Sequence, residues 1–194
     1  MWPSTSEMYK VNEIFVSLQG EGYHTGRRAV FVRMSGCNLR CSFCDTDFAA
    51  CREMTAAEIV AEAIRLWGDE RENRFVVLTG GEPSLQVDET LVRELHAEGF
   101  YLAMETNGTH DVPAQIEWVT CSPKEGTKVA LEFASEVKVV YLGQDVEAWR
   151  ENIAADYYYL QPCSCSNTAE VVDYIHAHPW WHLSLQTHKM IAIR

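Results

Sequence analysis

Four strand-length runs in this chain each end in a short polar or glycine-rich cluster: Thr79-Gly80-Gly81-Glu82, Glu105-Thr106-Asn107, Ser122-Pro123-Lys124 and Gln161-Pro162. The run Phe75 to Thr79 is apolar almost throughout, as a strand must be when both its faces are covered. Short apolar and β-branched runs at Tyr9 to Val16 and Ala29 to Met34 also have strand length, as do Tyr101 to Glu105, Trp118 to Ser122, Glu136 to Val140, Tyr157 to Gln161 and His182 to Leu185. Helical patterns lie between them. Thr55 with Glu58 three residues on is a capping box opening a helix to Trp67. Asp88 to Glu98 is amphipathic and stops at Gly99. Helices are also expected at Val146 to Asn152 and at Thr168 to His178, before Pro179. Between Tyr101 and Ser122 there is no room for a helix, so the rhythm breaks once. The pattern predicts an α/β fold with a mostly parallel sheet, curved into a partial barrel. Such folds build their sites at the carboxyl edge of the strands, where all four clusters fall.

The 194 residues, without repeat, linker or low-complexity tract, read as a single domain, 1–194. Residues 1–7 would be a dispensable extension if Met8 were the start. A formal net charge of -12 argues against a nucleic-acid binder, which needs Lys and Arg to neutralise phosphates. No apolar run reaches membrane-span length and the first ten residues lack a signal-peptide core, so a cytoplasmic protein is expected.

Three of the seven cysteines, Cys37, Cys41 and Cys44, fall within eight residues after the turn Ser35-Gly36. That is a poor disulfide framework and a good metal site for a reducing compartment. Thiolates suit iron–sulfur clusters and zinc, and closed sites of either kind normally take four protein ligands. The next cysteine is Cys51; with it or Asp45 as fourth ligand the site would hold structural zinc, and without one an iron of a cluster stays open to an exogenous chelator.

The spacing Cys37-x3-Cys41-x2-Cys44, with Phe43 before the last cysteine, resembles the signature of the radical S-adenosylmethionine (SAM) superfamily, and Gly80-Gly81-Glu82-Pro83 is similar to its GGEP motif. The resemblance implies a [4Fe–4S] cluster on the three cysteines, whose open iron takes the amino and carboxylate groups of SAM, and a reaction begun by a 5′-deoxyadenosyl radical. Leu18-Gln19-Gly20-Glu21-Gly22, Phe31-Val32-Arg33, Cys44-Asp45-Thr46 and the closing Leu185-Gln186-Thr187-His188-Lys189 further resemble the 7-carboxy-7-deazaguanine synthase family, from Tyr9 almost to the end. That likeness implies a trimmed radical SAM barrel acting as a carbon–nitrogen lyase of queuosine and deazapurine biosynthesis. The familial reaction turns 6-carboxy-5,6,7,8-tetrahydropterin into 7-carboxy-7-deazaguanine with loss of ammonia. A homodimer, Mg2+ and a reductant protein such as a flavodoxin are implied with it.

The residue chemistry is compatible with such a substrate. Arg33 offers a planar cationic fork for a carboxylate, or else an ion pair inside the barrel. Glu105 could accept from the N–H groups of a 2-amino-4-oxo pyrimidine edge, or serve a structural salt bridge. The Leu18, Gln19 and Gly20 stretch would frame the substrate and Thr79 would offer a hydroxyl; a plain turn and a cap are the alternatives. By resemblance Phe43, Cys44, Asp45, Gly81, Glu82, Ser122, Pro123, Lys124 and Gln161 contact SAM, Thr46 binds Mg2+, and the carboxylate of the last residue, Arg194, reaches the substrate. Cys163-Ser164-Cys165 departs from the family after Gln-Pro and reads as spare thiols rather than a second cluster. Trp180-Trp181 and Tyr157-Tyr158-Tyr159 read as core and dimer contact. Two rivals share parts of the pattern: a glycyl-radical enzyme activase has the cysteines and GGEP, and a non-enzymatic Fe–S or zinc-binding module has the cysteines alone.

Overall fold

The computed structural model describes residues 8–44 and 50–194. They form two compact units, the first built from the described parts of Met1–Val16, Ala29–Glu105 and Val112–Glu117, the second from Ser17–Arg28, Thr106–Asp111 and Trp118–Arg194.

The strands of the first unit are β1 (Tyr9–Leu18), β2 (Arg28–Met34), β3 (Arg52–Met54), β4 (Phe75–Gly80) and β5 (Tyr101–Thr106), in the order β3-β1-β2-β4-β5. β2, β4 and β5 run parallel, with Val30 opposite Val76 and Val76 opposite Leu102. Phe75, Val76, Val77 and Leu78 are fully buried, as their unbroken apolar run requires. α1 (Ala56–Trp67) begins at the predicted capping box: Thr55 N donates to Glu58 Oε2 (2.8 Å) and Glu58 N to Thr55 Oγ1 (3.3 Å). α2 (Glu89–Ala97) is capped by Asp88, and Gly99 follows at φ 78°, in the left-handed region that glycine enters freely. The antiparallel edge strand β3, three residues long, was not expected from the sequence.

In the second unit β6 (Trp118–Cys121), β7 (Phe133–Tyr141), β8 (Ala154–Pro162) and β9 (His182–Leu183) are parallel neighbours. α3 (Glu147–Asn152) and α4 (Thr168–Ala177) follow the expected positions, and a short α5 (Thr187–Met190) was missed. Val137, Val139, Leu160, Val146, Ile153, Val171 and Trp181 make the core of this unit. Trp181 is thus core, whereas its neighbour Trp180 is exposed. The α/β class with mostly parallel strands holds. β7 and β8 outrun their predicted spans by several residues because the added segments, Phe133-Ala134-Ser135 and Ala154-Ala155-Asp156, have no β-branched residue and no alternation to mark them as strand. Among the described residues no helix is long and apolar enough to cross a membrane.

Candidate active site

In the first unit the Gly80-Gly81 turn is locked to the backbone that leads into Cys37. Gly81 N donates to Met34 O (3.0 Å) and Glu82 N to Gly36 O (2.9 Å). A Cβ on Gly80 would lie 2.2 Å from Met34 O, and one on Gly81 1.8 Å from Gly36 O. No larger residue allows that approach, so both glycines are required by the joint itself. Gln86 braces it: its Nε2 donates to Ser35 O (2.8 Å) while its Oε1 accepts from Lys10 N (2.7 Å). Glu82 is 1% exposed, and its Oε1 accepts from Ser84 N (3.1 Å) and Ser84 Oγ (2.7 Å), opening a single helical turn over Pro83–Leu85.

Cys37 and Cys41 are half-buried and Cys44 is exposed. Burial pushes the Cys37 thiol up, and the negative charge of Glu82, Cys41 and Cys44 pushes the same way, against the hydrogen bond that Leu39 N gives its sulfur (3.4 Å). Glu82, Cys41 and Cys44 therefore each stand within electrostatic reach of Cys37. Among the described residues no three His, Cys, Asp or Glu side chains are already drawn together as a metal-ligating set. The donor chemistry nevertheless fits an iron–sulfur cluster, because bound iron would replace that mutual repulsion with attraction. Phe43 is half-buried beside Cys44. Asp45 and Thr46 lie outside the described residues.

Thr79 and Glu105 sit half-buried near the carboxyl ends of β4 and β5, as expected. Arg33 is paired within its own unit: Nε lies 2.9 Å from Glu13 Oε1, and the guanidinium carbon 5.8 Å from the Phe15 ring centre.

In the second unit Leu18 ends β1 exposed, and the loop after it is held closed by Gln19 N to Arg27 O (2.8 Å) and Gly26 N to Gln19 O (2.7 Å). Gly20 O accepts from both Thr187 N (2.9 Å) and Thr187 Oγ1 (3.0 Å). Gly22 N donates to Ser184 Oγ (3.0 Å), which donates in turn to Oε1 of the buried Gln161 (3.0 Å). Ser122 N donates to Thr106 O (2.7 Å), and Lys124 Nζ folds back onto Ser122 O (2.6 Å) and Oγ (2.8 Å), with Pro123 buried between them. The tail returns to this unit, since Ser17 Oγ donates to the main-chain O of Arg194 at 2.5 Å. Cys163 and Cys165 are free thiols in a tight turn, with Ser164 and Cys165 both at positive φ.

Sequence reasoning missed two buried charges on β7. Lys138 Nζ pairs with Glu21 Oε2 (2.5 Å), and Gln186 Nε2 donates to Glu21 Oε1 (2.9 Å). Burial alone would raise the Glu21 carboxyl, but Lys138 and Gln186 overcome it and hold the group well below the usual carboxylate range. Glu136 accepts from Tyr23 N (2.9 Å) and Thr120 Oγ1 (2.9 Å). The signal was present: two opposite charges at i and i+2 share one face of a strand, with the apolar Val137, Val139 and Val140 around them.

Comparison with known proteins agrees with this geometry. The sequence pattern of the Radical SAM superfamily matches residues 31–178. The 7-carboxy-7-deazaguanine synthase of Bacteroides thetaiotaomicron is 56% identical over 187 residues, covering 96% of this chain and all of that protein. The enzyme of the same name from Bradyrhizobium diazoefficiens is 43% identical, covering 96% of this chain and 99% of its own. The crystal structure of QueE from Escherichia coli superposes with a TM-score of 0.78 at 31% identity, over 92% of this chain and 93% of that one.

Proposed function

The chain belongs to the radical SAM superfamily and, within it, to the 7-carboxy-7-deazaguanine synthases, and from that premise we propose that it converts 6-carboxy-5,6,7,8-tetrahydropterin to 7-carboxy-7-deazaguanine with loss of ammonia. The observation that carries the reading is the joint between Gly80-Gly81-Glu82 and Ser35-Gly36-Cys37, which ties the turn bearing the buried Glu82 carboxylate to the backbone that leads into the first of the three cysteines. Cys37, Cys41 and Cys44 would hold a [4Fe–4S] cluster, and Gly81 and Glu82 would receive the ammonium of SAM. When bound, cluster and SAM supply the radical that removes a hydrogen atom from the substrate. The chain's own residues bind and orient. Phe43, Asp45, Ser122, Pro123, Lys124 and Gln161 serve SAM; Leu18, Gln19, Gly20, Arg33, Thr79, Glu105 and the Arg194 carboxylate serve the pterin. Thr46 supplies one ligand to Mg2+, whose remaining coordination comes from water and substrate oxygens. In this reading the enzyme works in the cytoplasm as a homodimer, reduced by a flavodoxin-like protein.

An anaerobic incubation of reconstituted protein with 6-carboxytetrahydropterin, SAM and dithionite tests it. The product should form only when all three are present. A cluster whose absorbance ignores SAM, and no deazapurine, would return the chain to the electron carriers.

A further inference from the structure

Glu136 and Lys138 are the two charged side chains within the described span of β7, and both are nearly sealed from solvent, at 2% and 4% exposure. A parallel strand in a packed layer does not retain such charges for folding alone, because an apolar pair of similar volume is often as stable or more so. Their partners are informative. Both reach the same short loop, Gln19–Tyr23, from one face of the strand, two residues apart. Lys138 takes the Glu21 carboxylate (2.5 Å), and Glu136 takes the Tyr23 N–H (2.9 Å). The loop's other polar groups are tied as well, Gly20 O by Thr187 and Gly22 N by Ser184. Gln186 joins in through Glu21, and Lys189 Nζ donates to Gln186 Oε1 (3.0 Å), so the loop and the segment that carries the carboxyl terminus share one network.

We propose that Lys138 and Glu136 are positioning residues that fix the Gln19–Tyr23 loop in its substrate-binding conformation, acting through Glu21 and the Tyr23 amide without touching substrate. This rests on the reading of Leu18-Gln19-Gly20 as a substrate-binding segment. Gly22 lies at φ 62°, and a Cβ there would lie 2.3 Å from Glu136 Oε1, so the loop packs directly on the Glu136 carboxylate. A misplacement of about 1 Å in a binding group can cost on the order of 100-fold in turnover. The effect on substrate KM should therefore be large even where the fold survives.

The test uses anaerobically reconstituted enzyme and two variants, Lys138→Met and the double variant Glu21→Gln/Lys138→Met. The single variant leaves a buried carboxylate without its ammonium and should lower the melting temperature. The double variant removes both charges and should recover it. Hydrogen exchange across residues 17–27 reports the loop, and KM for 6-carboxytetrahydropterin reports its use. We expect the double variant to melt like wild type, exchange faster across 17–27, and show KM raised roughly 10-fold or more, with unchanged SAM affinity and iron content. Lys138→Arg, which keeps the charge, should restore part of the loss. Unchanged exchange in the double variant would overturn the positioning role. Faster exchange with wild-type KM would instead show that the loop is not the substrate segment, and would overturn the proposal by that separate route.

Discussion

Gly81 and Gly36 approach so closely that a methyl group on Gly81 would lie 1.8 Å from the Gly36 carbonyl oxygen. The turn that is to receive SAM and the turn that launches the cysteine loop are thereby one rigid piece. Gly81→Ala should force them apart, and the reconstituted protein should lose most of its iron and its SAM affinity together. Gly99→Ala is the control. Gly99 has φ 78° but open space around its Cβ position, so the change costs about 1–2 kcal/mol of stability and leaves the iron alone. Full iron and full SAM affinity in Gly81→Ala would show that the joint is incidental.

The cluster should depend on three cysteines and no others. Cys121 is wholly buried against the backbone at Gly108, and Cys163 and Cys165 sit in a tight turn with Ser164 and Cys165 at positive φ, whereas Cys37 feels the charge of Cys41 and Cys44. Alanine at 37, 41 or 44 should abolish iron incorporation; alanine at 51, 121, 163 or 165 should leave it intact. Loss of about half the iron in Cys163→Ala or Cys165→Ala would reveal a second cluster.

Arg33 carries a more pointed prediction, because the structure gives it a partner. The Glu13 pair is 22% and 28% exposed, and pairs of that kind contribute roughly 0–1 kcal/mol. Arg33→Ala should thus melt almost normally, yet weaken pterin binding by orders of magnitude, on the scale of about 3–5 kcal/mol for a deserted buried partner. SAM affinity should barely move. Glu13→Gln breaks the same ion pair while keeping the guanidinium. If the two variants raise substrate KM equally, Arg33 serves Glu13 and not the substrate.

How much of this was legible in the sequence depended on range. The Thr55–Glu58 box and the Gly99 stop are local chemistry, decided within four residues, and they could be read directly. The same holds for the cysteine spacing and the Gly-Gly turn, although not for the reason the turn must be glycine, which lies 45 residues upstream at Gly36. The Glu21–Lys138 pair joins positions 117 apart, so neither charge names its partner in the sequence. β3 escaped because three residues, Arg52-Glu53-Met54, carry no period; only the ladder to Tyr9, Lys10 and Val11 makes them a strand.

Glu147 gives a pH prediction. It accepts from Trp181 Nε1 (2.7 Å), Trp180 Nε1 (3.0 Å), Tyr174 OH (3.1 Å) and Arg150 Nε (3.1 Å). Burial alone would raise its carboxyl, but these donors outweigh it and lower it below 4.5. A carboxyl lowered on folding stabilises the fold above its unfolded value, and that gain is lost as pH falls through the folded value. Glu147→Gln should therefore cost roughly 1–2 kcal/mol near neutrality, discounted for partial exposure, or about 2–8 °C in Tm for a chain this size. The gap should close as pH drops below about 4.5. Parallel Tm curves from pH 7 to pH 3 would mean that the charge of Glu147 contributes nothing.

The end of the chain is held rather than frayed. α5 is followed by Ile191 N to Thr187 O (3.1 Å) and Ile193 N to His188 O (3.0 Å), and the main-chain O of Arg194 accepts from Ser17 Oγ, one residue before Leu18. The terminal main-chain group is thus tied to the strand end that leads into the proposed substrate segment. A carboxylate there can accept from pterin N–H donors, whereas a guanidinium offers only donors of its own. Arg194→Ala should accordingly be nearly silent in turnover. A short tag added after Arg194 removes the carboxylate from its position and should impair turnover while sparing iron content and SAM affinity. Ser17→Ala, which frees the terminus without lengthening it, should raise substrate KM in the same direction by a smaller factor. A tagged enzyme with wild-type kcat and KM would reduce the tail to packing, and Arg194→Ala matching the tag's damage would move the role to the side chain.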